Sequence, residues 1–394
     1  MGDFDETSIA DRADLETAMA TIAELAEGIG PRRPTGPEER AAALALAERL
    51  RAAGVDAGIE GFAAYSTFAA PFAVILGTAL APVLLPRRWR LRRAALAALA
   101  AAGLLSEGSL VRTPLSRALS RRPSQNVVAT IEPREGVRRT LCLVAHMDSS
   151  RSGIIFHPRV VGWMPRWIAA SSMLVLLQAA LEPFAGHAPA RRLLAAVRGG
   201  LAASLGLLGE RELRGIDVDG ANDNASGCGV VVALARRLAA DPPRSTRIVV
   251  LLTGCEEAGT LGAQAFRDSR DSGDWLFLNF DNVGGAGSVR FLRREGVIAK
   301  WHADAGLVAA AEGVSRRRPE LRMAAEDSPA GLTYDSSPIH AAGGRALTLS
   351  VQDGFIPDLH QPSDVLANVA RGGVARTLVA GAEMVAAIDR GEAG

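Results

Sequence analysis

The alternation of apolar and polar positions divides the chain into short strands and helices around two long apolar stretches. The pattern indicates strands over Val55–Phe62, Gln125–Glu132, Thr140–Ala145, Arg247–Thr253, Trp275–Phe280 and Arg345–Val351. Helical periodicity covers about Asp14–Gly28, Pro37–Ala53, Ala225–Ala239 and Val365–Asp389, and another helix begins near Leu261. Strands that alternate with helices predict an α/β fold with a mixed, mostly parallel central sheet, covered by helices on both faces.

Two apolar insertions, residues 62–121 and 151–213, interrupt this pattern. Phe62–Leu85 contains no charged residue, and as a helix it would be about 36 Å long, enough to cross a hydrocarbon core of about 30 Å. Three further apolar stretches are shorter, and for them buried helices of a large core are the alternative: Ala94–Ser106, Trp167–Leu181 and Leu193–Leu208. Because the chain must return to the side it left, each insertion is expected to form a two-helix apolar hairpin.

Without the insertions, residues 15–61, 122–150 and 214–390 are expected to form the core of a single domain spanning 15–390. The formal net charge of +1 gives no overall field that favours nucleic acid, so no nucleic-acid partner is expected. The hydrophobic content of 48% is high for a soluble enzyme and favours contact with a lipid bilayer. No feature of the sequence indicates an oligomeric state.

Metal-seeking side chains follow three of the expected strands directly. They are His146 with Asp148, the pair Glu256 and Glu257, and Asp281. Sites in parallel sheets form at the carboxyl ends of strands, so these side chains are expected to meet. Imidazole and carboxylate in this ratio are ligands that suit zinc or a similar divalent ion.

The spacing of these residues suggests a role for each. Asp148 lies two positions after His146, so its carboxylate can accept the imidazole N–H that a metal does not use. Glu256 and Glu257 repel each other unless a cation offsets them, which leaves one for the metal and one as a general base; an exposed charged turn is the alternative. Asp223, in a small-residue turn before a helix, could offer one oxygen to each of two metals, with a helix cap as the alternative.

Taken in order, these motifs resemble the di-zinc aminopeptidase family, which includes bacterial leucyl aminopeptidases, glutamate carboxypeptidase-like enzymes and glutaminyl cyclases. The matching segments are Ala-His146-Met-Asp148, Gly220-Ala-Asn-Asp223-Asn-Ala-Ser-Gly227, Glu256-Glu257-Ala-Gly, Asn279-Phe-Asp281-Asn and Leu359-His360-Gln-Pro-Ser-Asp364. The early segment Gly30-Pro31-Arg32 also resembles the family. The resemblance covers nearly everything outside the two insertions, and it implies a zinc-exopeptidase-like fold.

The resemblance further implies two bound Zn²⁺ ions, for which Co²⁺ or Mn²⁺ could substitute. The implied ligands are His146 and Asp281 for one ion and Glu257 and His360 for the other, with Asp223 bridging both. Glu256 is then the general base that acts on a metal-bridged water, and Asp148 is the partner of His146. The family often has a cis peptide after the bridging aspartate, here Asp223–Asn224.

Two departures from the family bear on substrate contacts, and one is that the family's Ser-Asp-His appears here as Tyr334-Asp335-Ser336. The other is Leu359, which stands where members commonly have a tyrosine that binds the oxyanion. Tyr334 is one of only two tyrosines in the chain and is the candidate to replace it, with ordinary packing as the alternative.

The function implied is that of a membrane-associated di-zinc metallo-exopeptidase, an aminopeptidase that hydrolyses N-terminal bonds of a peptide substrate. One alternative is related amide chemistry, either glutaminyl cyclase-like or that of an amino-acid amidohydrolase. Another is a non-catalytic membrane receptor or scaffold. Glutaminyl cyclases use one zinc and non-catalytic relatives lose ligands, whereas this chain has the full set.

Arginines in the hairpin loops bear on orientation. The loop of the first hairpin carries Arg87, Arg88, Arg90, Arg92 and Arg93, and that of the second carries Arg191 and Arg192. The other end is flanked by Arg112, Arg117, Arg121 and Arg122, which oppose this asymmetry. The positive-inside rule places such loops in the cytoplasm, so the catalytic domain is expected outside a bacterial-type inner membrane.

Overall fold

The computed structural model describes residues 10–328 and 332–394 and arranges nine strands of these residues in one sheet. The strands are β1 (Ala57–Ala64), β2 (Arg122–Ile131), β3 (Arg139–His146), β4 (Thr246–Thr253), β5 (Leu276–Phe280), β6 (Val289–Glu295), β7 (Trp301–His302), β8 (Ala324–Asp327) and β9 (Arg345–Val351). The α-helices are α1 (Arg12–Ala23), α2 (Pro37–Ala52), α3 (Ala69–Leu80), α4 (Arg90–Ser109), α5 (Pro114–Leu119), α6 (Met164–Leu181), α7 (Ala188–Arg214), α8 (Ser226–Ala240), α9 (Leu261–Asp268), α10 (Ala305–Arg317), α11 (Ser337–Ala341) and α12 (Arg371–Asp389).

The sheet is mixed, with its parallel strands in the middle. The order is β1-β2-β4-β3-β5-β9-β6-β7, and β8 pairs with β6 beside this path. Strands β4, β3, β5 and β9 are parallel neighbours, whereas β1, β2 and β7 pair antiparallel toward the edges. The predicted α/β class is confirmed, and the parallel pairing that the sequence indicated is concentrated at the centre.

Both faces of the sheet are covered, as expected for strands that are apolar at every position. In β3, Leu141 and Leu143 belong to a large core, to which α1, α2, α8, α10 and α12 contribute. Cys142 and Val144 point to the opposite face and pack in a smaller core with Phe266 of α9. The side-chain period of two along a strand therefore divides one apolar run between two cores.

The two insertions form helical hairpins, α3 with α4 and α6 with α7, that pack together as a four-helix bundle. α3 contacts α4 and α7, and α6 contacts the same two helices. The buried core of the bundle includes Ile75, Leu104, Val175 and Leu201, one residue from each helix.

The hairpins are also joined at the end of the bundle far from the sheet. Glu182 is fully buried there, and its two oxygens lie 2.7 Å from Nε of Arg93 and 2.6 Å from a terminal nitrogen of Arg198. One buried carboxylate thus links α4 to α7, so the hairpins form a single unit.

The outer surface of this bundle is apolar. Leu84, Leu91, Leu99 and Met173 are 85%, 87%, 63% and 56% exposed. By length and composition, Val161–Phe184 and Ala188–Arg214 could each cross a membrane, and Ala69–Leu84 is a shorter apolar helix. Only 17% of the most apolar window of each long helix is buried, whereas a core helix of a soluble protein would be mostly buried.

Candidate metal centre

Three parallel strands bring their carboxyl ends to one edge of the sheet, where the metal-seeking side chains lie. His146 is the last residue of β3, Asp281 directly follows β5, and Glu256 and Glu257 lie in the turn after β4. β3 is hydrogen-bonded to both β4 and β5, so these three strand ends are adjacent. The pairing of these strands explains why the side chains at their ends lie close together.

Asp223 lies between two groups of side chains and directs one oxygen toward each. Its Oδ1 is 3.2 Å from Nε2 of His146, and that nitrogen is 3.7 Å from Oδ2 of Asp281. Its Oδ2 is 3.2 Å from Nε2 of His360, which in turn is 3.1 Å from Oε1 of Glu257. All five residues for which the resemblance implies metal binding are therefore in one buried cluster.

The segment that carries Asp223 is fixed by its backbone. The Asp223–Asn224 peptide is cis, which is the bond that the resemblance singled out. Asp364 accepts backbone N–H groups from Asn222 at 2.6 Å and from Asp223 at 3.0 Å. Gly220 has φ +61°, and a Cβ there would lie 2.4 Å from the carbonyl oxygen of Asp223, so this turn requires glycine.

Asp148 lies beside His146, as predicted for its partner, but the shortest contacts of its carboxylate are elsewhere. Its carboxylate Oδ1 is 3.6 Å from Nδ1 of His146, too far for a good hydrogen bond, and the backbone carbonyl of Asp148 lies closer, at 3.1 Å. The two carboxylate oxygens instead accept the backbone N–H groups of Glu256 at 3.1 Å and Glu257 at 3.0 Å. The backbone of Asp148 thus orients the imidazole, while its side chain holds the turn that carries both glutamates.

Burial and mutual contact control the protonation of the cluster. Burial raises the pKa of Asp281 to about 7 and that of Glu256 well above its ordinary value. Burial opposes ionisation of Asp223 as well, but hydrogen bonds from His146 and His360 lower its pKa. Burial alone would lower the pKa of His360, yet the charge of Glu257 and the bond to Asp223 raise it to about 9.

These residues fit bound zinc. Ligand atoms about 2.0–2.1 Å from a tetrahedral zinc ion lie roughly 3.3 Å apart, close to the separations of 3.1 to 3.2 Å around Asp223. Oε1 of Glu257 is buried, and its contact with Nε2 of His360 at 3.1 Å does not have the geometry of a hydrogen bond, so this oxygen is available to a metal. Several buried carboxylates in contact are costly unless cations offset their charge.

Tyr334 and Phe156 line the same cavity as the metal-seeking residues. Tyr334 is buried, and burial followed by the charge of Asp281 raises its pKa well above the usual value. Phe156 belongs to the second insertion, and its ring lies 4.3 Å from that of His360, edge to face. The insertion thus supplies a wall of the site.

Several contacts that support the site were not predicted from the sequence. The guanidinium of Arg32 is buried and donates to five backbone carbonyls, those of Leu25, Gly30, Met147, Asp219 and Gly220. Glu39 accepts the backbone N–H of Cys255 at 2.8 Å and so holds the Glu256 turn from the other side. The Gly-Pro-Arg segment gave a signal for Arg32, whereas a glutamate inside α2 gave none for Glu39.

The fold and the buried cluster of imidazole and carboxylate groups are those expected of a zinc-dependent metallopeptidase. Residues 204–385 match the model of peptidase family M28. A comparison with curated proteins found no match.

Solved structures share the fold along nearly the whole chain. A zinc aminopeptidase from Bacillus subtilis has 15% identity and a TM-score of 0.55, and the match covers 94% of each chain. The aminopeptidase from Aneurinibacillus sp. strain AM-1 has 15% identity and a TM-score of 0.56, with 97% of this chain and 94% of that chain covered. A glutaminyl cyclase from Porphyromonas gingivalis has 15% identity and a TM-score of 0.57, covering 94% and 97%. The predicted resemblance to zinc aminopeptidases and glutaminyl cyclases is confirmed.

Proposed function

We propose that the protein is a membrane-associated di-zinc exopeptidase, an aminopeptidase that hydrolyses the N-terminal bond of a peptide. The observation that carries the proposal is Asp223, whose two oxygens face separate groups of ligands, His146 with Asp281 and His360 with Glu257. Two ions would balance the buried carboxylates of this cluster. When bound, zinc would polarise the scissile carbonyl and lower the pKa of water.

The remaining residues have distinct roles in this proposal. Glu256 lines the cavity and is left out of the ligand groups around Asp223, so it accepts the proton of the attacking water and delivers it to the leaving amine. Asp148 holds Glu256 in place through its backbone N–H. Tyr334 faces the same cavity and donates its O–H to the oxygen that becomes negatively charged.

Related amide chemistry is the second candidate, because glutaminyl cyclases are among the similar structures. In a cyclase the α-amine of an N-terminal glutamine attacks the side-chain amide, ammonia leaves and no water is added, so the product differs from that of hydrolysis. The division of ligands around Asp223 favours the two-metal hydrolase.

Membrane association rests on the surface of the four-helix bundle. Its long helices α6 and α7 expose apolar side chains such as Met173 and Leu193, and removing such surface from water is favourable. The loops at the far end carry Arg87, Arg88, Arg191 and Arg192, so we place that end in the cytoplasm and the peptidase on the other side.

Metal analysis combined with a substrate panel tests this function. We expect two zinc ions per chain and release of free amino acid from aminoacyl anilides, which a chelator stops and added zinc restores. Conversion of N-terminal glutamine to a cyclic product without amino-acid release would favour the cyclase. An absence of turnover with metal bound would leave the scaffold role.

A further inference from the structure

A cavity of about 290 Å³ connects the candidate metal centre with the interior of the four-helix bundle. At one end it is lined by His146, Glu256 and His360, and at the other by Ile75 and Val175. The last two belong to the buried core of the bundle. The space is therefore continuous from the site of chemistry to the middle of the inserted helices, and we call it the bundle cavity.

Helix α6 shows how far the bundle cavity extends. Met164, Trp167, Ile168, Ser171 and Val175 all line it, at spacings of three or four that place them on one face of the helix. At 1.5 Å per residue, the distance from Met164 to Val175 is about 16 Å. A single amino-acid side chain would fill only the part nearest the metal centre.

Several polar side chains in the deep part of the bundle cavity have hydrogen-bond partners within the protein. The hydroxyls of Ser171 and Ser204 bond to each other at 2.8 Å. Glu107 turns its carboxylate to the backbone N–H of Leu115 at 2.8 Å and to Ser116. The other residues of α3 and α6 that line this part are mostly apolar, so the space suits a hydrocarbon chain.

We infer that the bundle cavity binds a long apolar chain of the substrate, so that the natural substrate is an amphipathic amide whose polar end lies at the metal centre. This inference rests on the proposed hydrolytic function and specifies its substrate class. Phe156 supports it, because this residue of the second insertion packs directly on His360 and lines the same cavity as the helices of the bundle. Amphipathic molecules concentrate in a bilayer, so a bundle inserted there would be exposed to them directly.

Two homologous series of amides test the inference with the metal-loaded protein. One series contains alanine amides of unbranched alkylamines, and the other contains anilides of unbranched 2-aminoalkanoic acids, so the two place the chain on opposite sides of the scissile bond. We expect kcat/KM to rise by up to about fourfold per added methylene in at least one series. Rates that do not depend on chain length in either series would overturn the inference, while turnover of the short members would still support the proposed function.

Substitutions in the bundle cavity test whether the apolar chain of the substrate binds there. Val175→Phe shortens the bundle cavity, and we expect it to lower the ratio of kcat/KM for long against short substrates by tenfold or more. Met173→Phe is the matched control, because Met173 is 56% exposed on the same helix and should leave this ratio as in the wild type. Ser171→Leu fills the same space and replaces Val175→Phe if that variant does not fold.

A binding measurement tests independently of turnover whether the bundle cavity holds the apolar chain of the substrate. Calorimetric titration with the longest alanine alkylamide should show saturable binding that Val175→Phe weakens and Met173→Phe does not. Equal binding by both variants would overturn the inference even if the protein hydrolysed no substrate.

Discussion

The carboxylate of Asp364 accepts the backbone N–H of Asp223 at 3.0 Å. Its other oxygen accepts the N–H of Asn222 at 2.6 Å. Asp364 therefore acts on the metal centre through the backbone, since it fixes the residue whose side chain lies between the two ligand groups. The two aspartates are far apart in the sequence, and only the fold makes them partners.

Asp364→Asn should weaken zinc binding. An asparagine can accept only one of the two N–H groups, and its own NH₂ would face the other donor. Loss of such supporting contacts typically lowers metal affinity 10–100-fold. Competition with a chromophoric chelator measures this, with Asp241→Asn as the control, because Asp241 forms an exposed ion pair with Arg134. An affinity equal to that of the wild type would contradict the role of Asp364.

Glu256→Gln should abolish turnover while the metals stay bound. Glutamine is similar in size but cannot accept the proton of the attacking water, and general-base catalysis typically contributes about 10²–10⁴-fold to the rate. Glu257→Gln is the matched neighbour and should lose metal as well as activity. Both kcat and zinc content are to be measured for each protein. A fully active Glu256→Gln would assign the base to another residue.

Several candidate metal ligands could be predicted from the sequence because they lie at the ends of buried strands. His146 and Asp281 each follow a run of apolar residues, and a polar side chain at the end of a buried parallel strand has few roles other than a site. Glu39 could not be predicted in the same way, because its partner Cys255 is contributed by a distant segment, and only the family-like Gly-Pro-Arg segment pointed to Arg32. Hydrogen bonds of this kind leave no local pattern in the sequence.

Strands β6 and β8, toward one edge of the sheet, were not predicted from the sequence, and the reason is physical. Strand β6 carries Arg290, Arg293 and Arg294, which obscure the apolar alternation of a strand. The fold accommodates these charges through β8, where Glu326 lies 3.0 Å from Arg290 and Asp327 lies 2.6 Å from Arg294. The pairing of two charged strands becomes visible only in the structure.

Arg32→Met should destabilise the fold strongly. The substitution removes donors from five backbone carbonyls, and each buried acceptor left unsatisfied costs about 1–3 kcal/mol. We expect a loss of at least about 3 kcal/mol in the free energy of unfolding, allowing for some access of water. Urea titration measures it. Arg247→Met, which removes only a surface ion pair with Glu132, should change stability by about 1 kcal/mol or less.

The loops at the far end of the bundle should be protected in intact cells. They carry Arg87 and Arg88 in one hairpin and Arg191 and Arg192 in the other, and clustered arginine favours the cytoplasmic side. Protease added to intact spheroplasts should therefore cleave the catalytic domain, while a cysteine introduced at Arg88 stays unlabelled by an impermeant reagent. The reverse pattern would place the catalytic domain in the cytoplasm.

Leu99→Lys should weaken insertion of the bundle into the membrane. Leu99 lies on the outer face of α4 and is 63% exposed, so in a bilayer its side chain would face lipid. A lysine near the centre of a spanning helix costs about 2.5–3.5 kcal/mol on insertion scales. The fraction of protein that resists alkaline extraction from membranes should fall. Leu44→Lys is the matched control, since Leu44 is 51% exposed on α2 of the catalytic domain and contacts water in this arrangement. Equal behaviour of the two variants would mean that the apolar surface of the bundle meets water or protein rather than lipid.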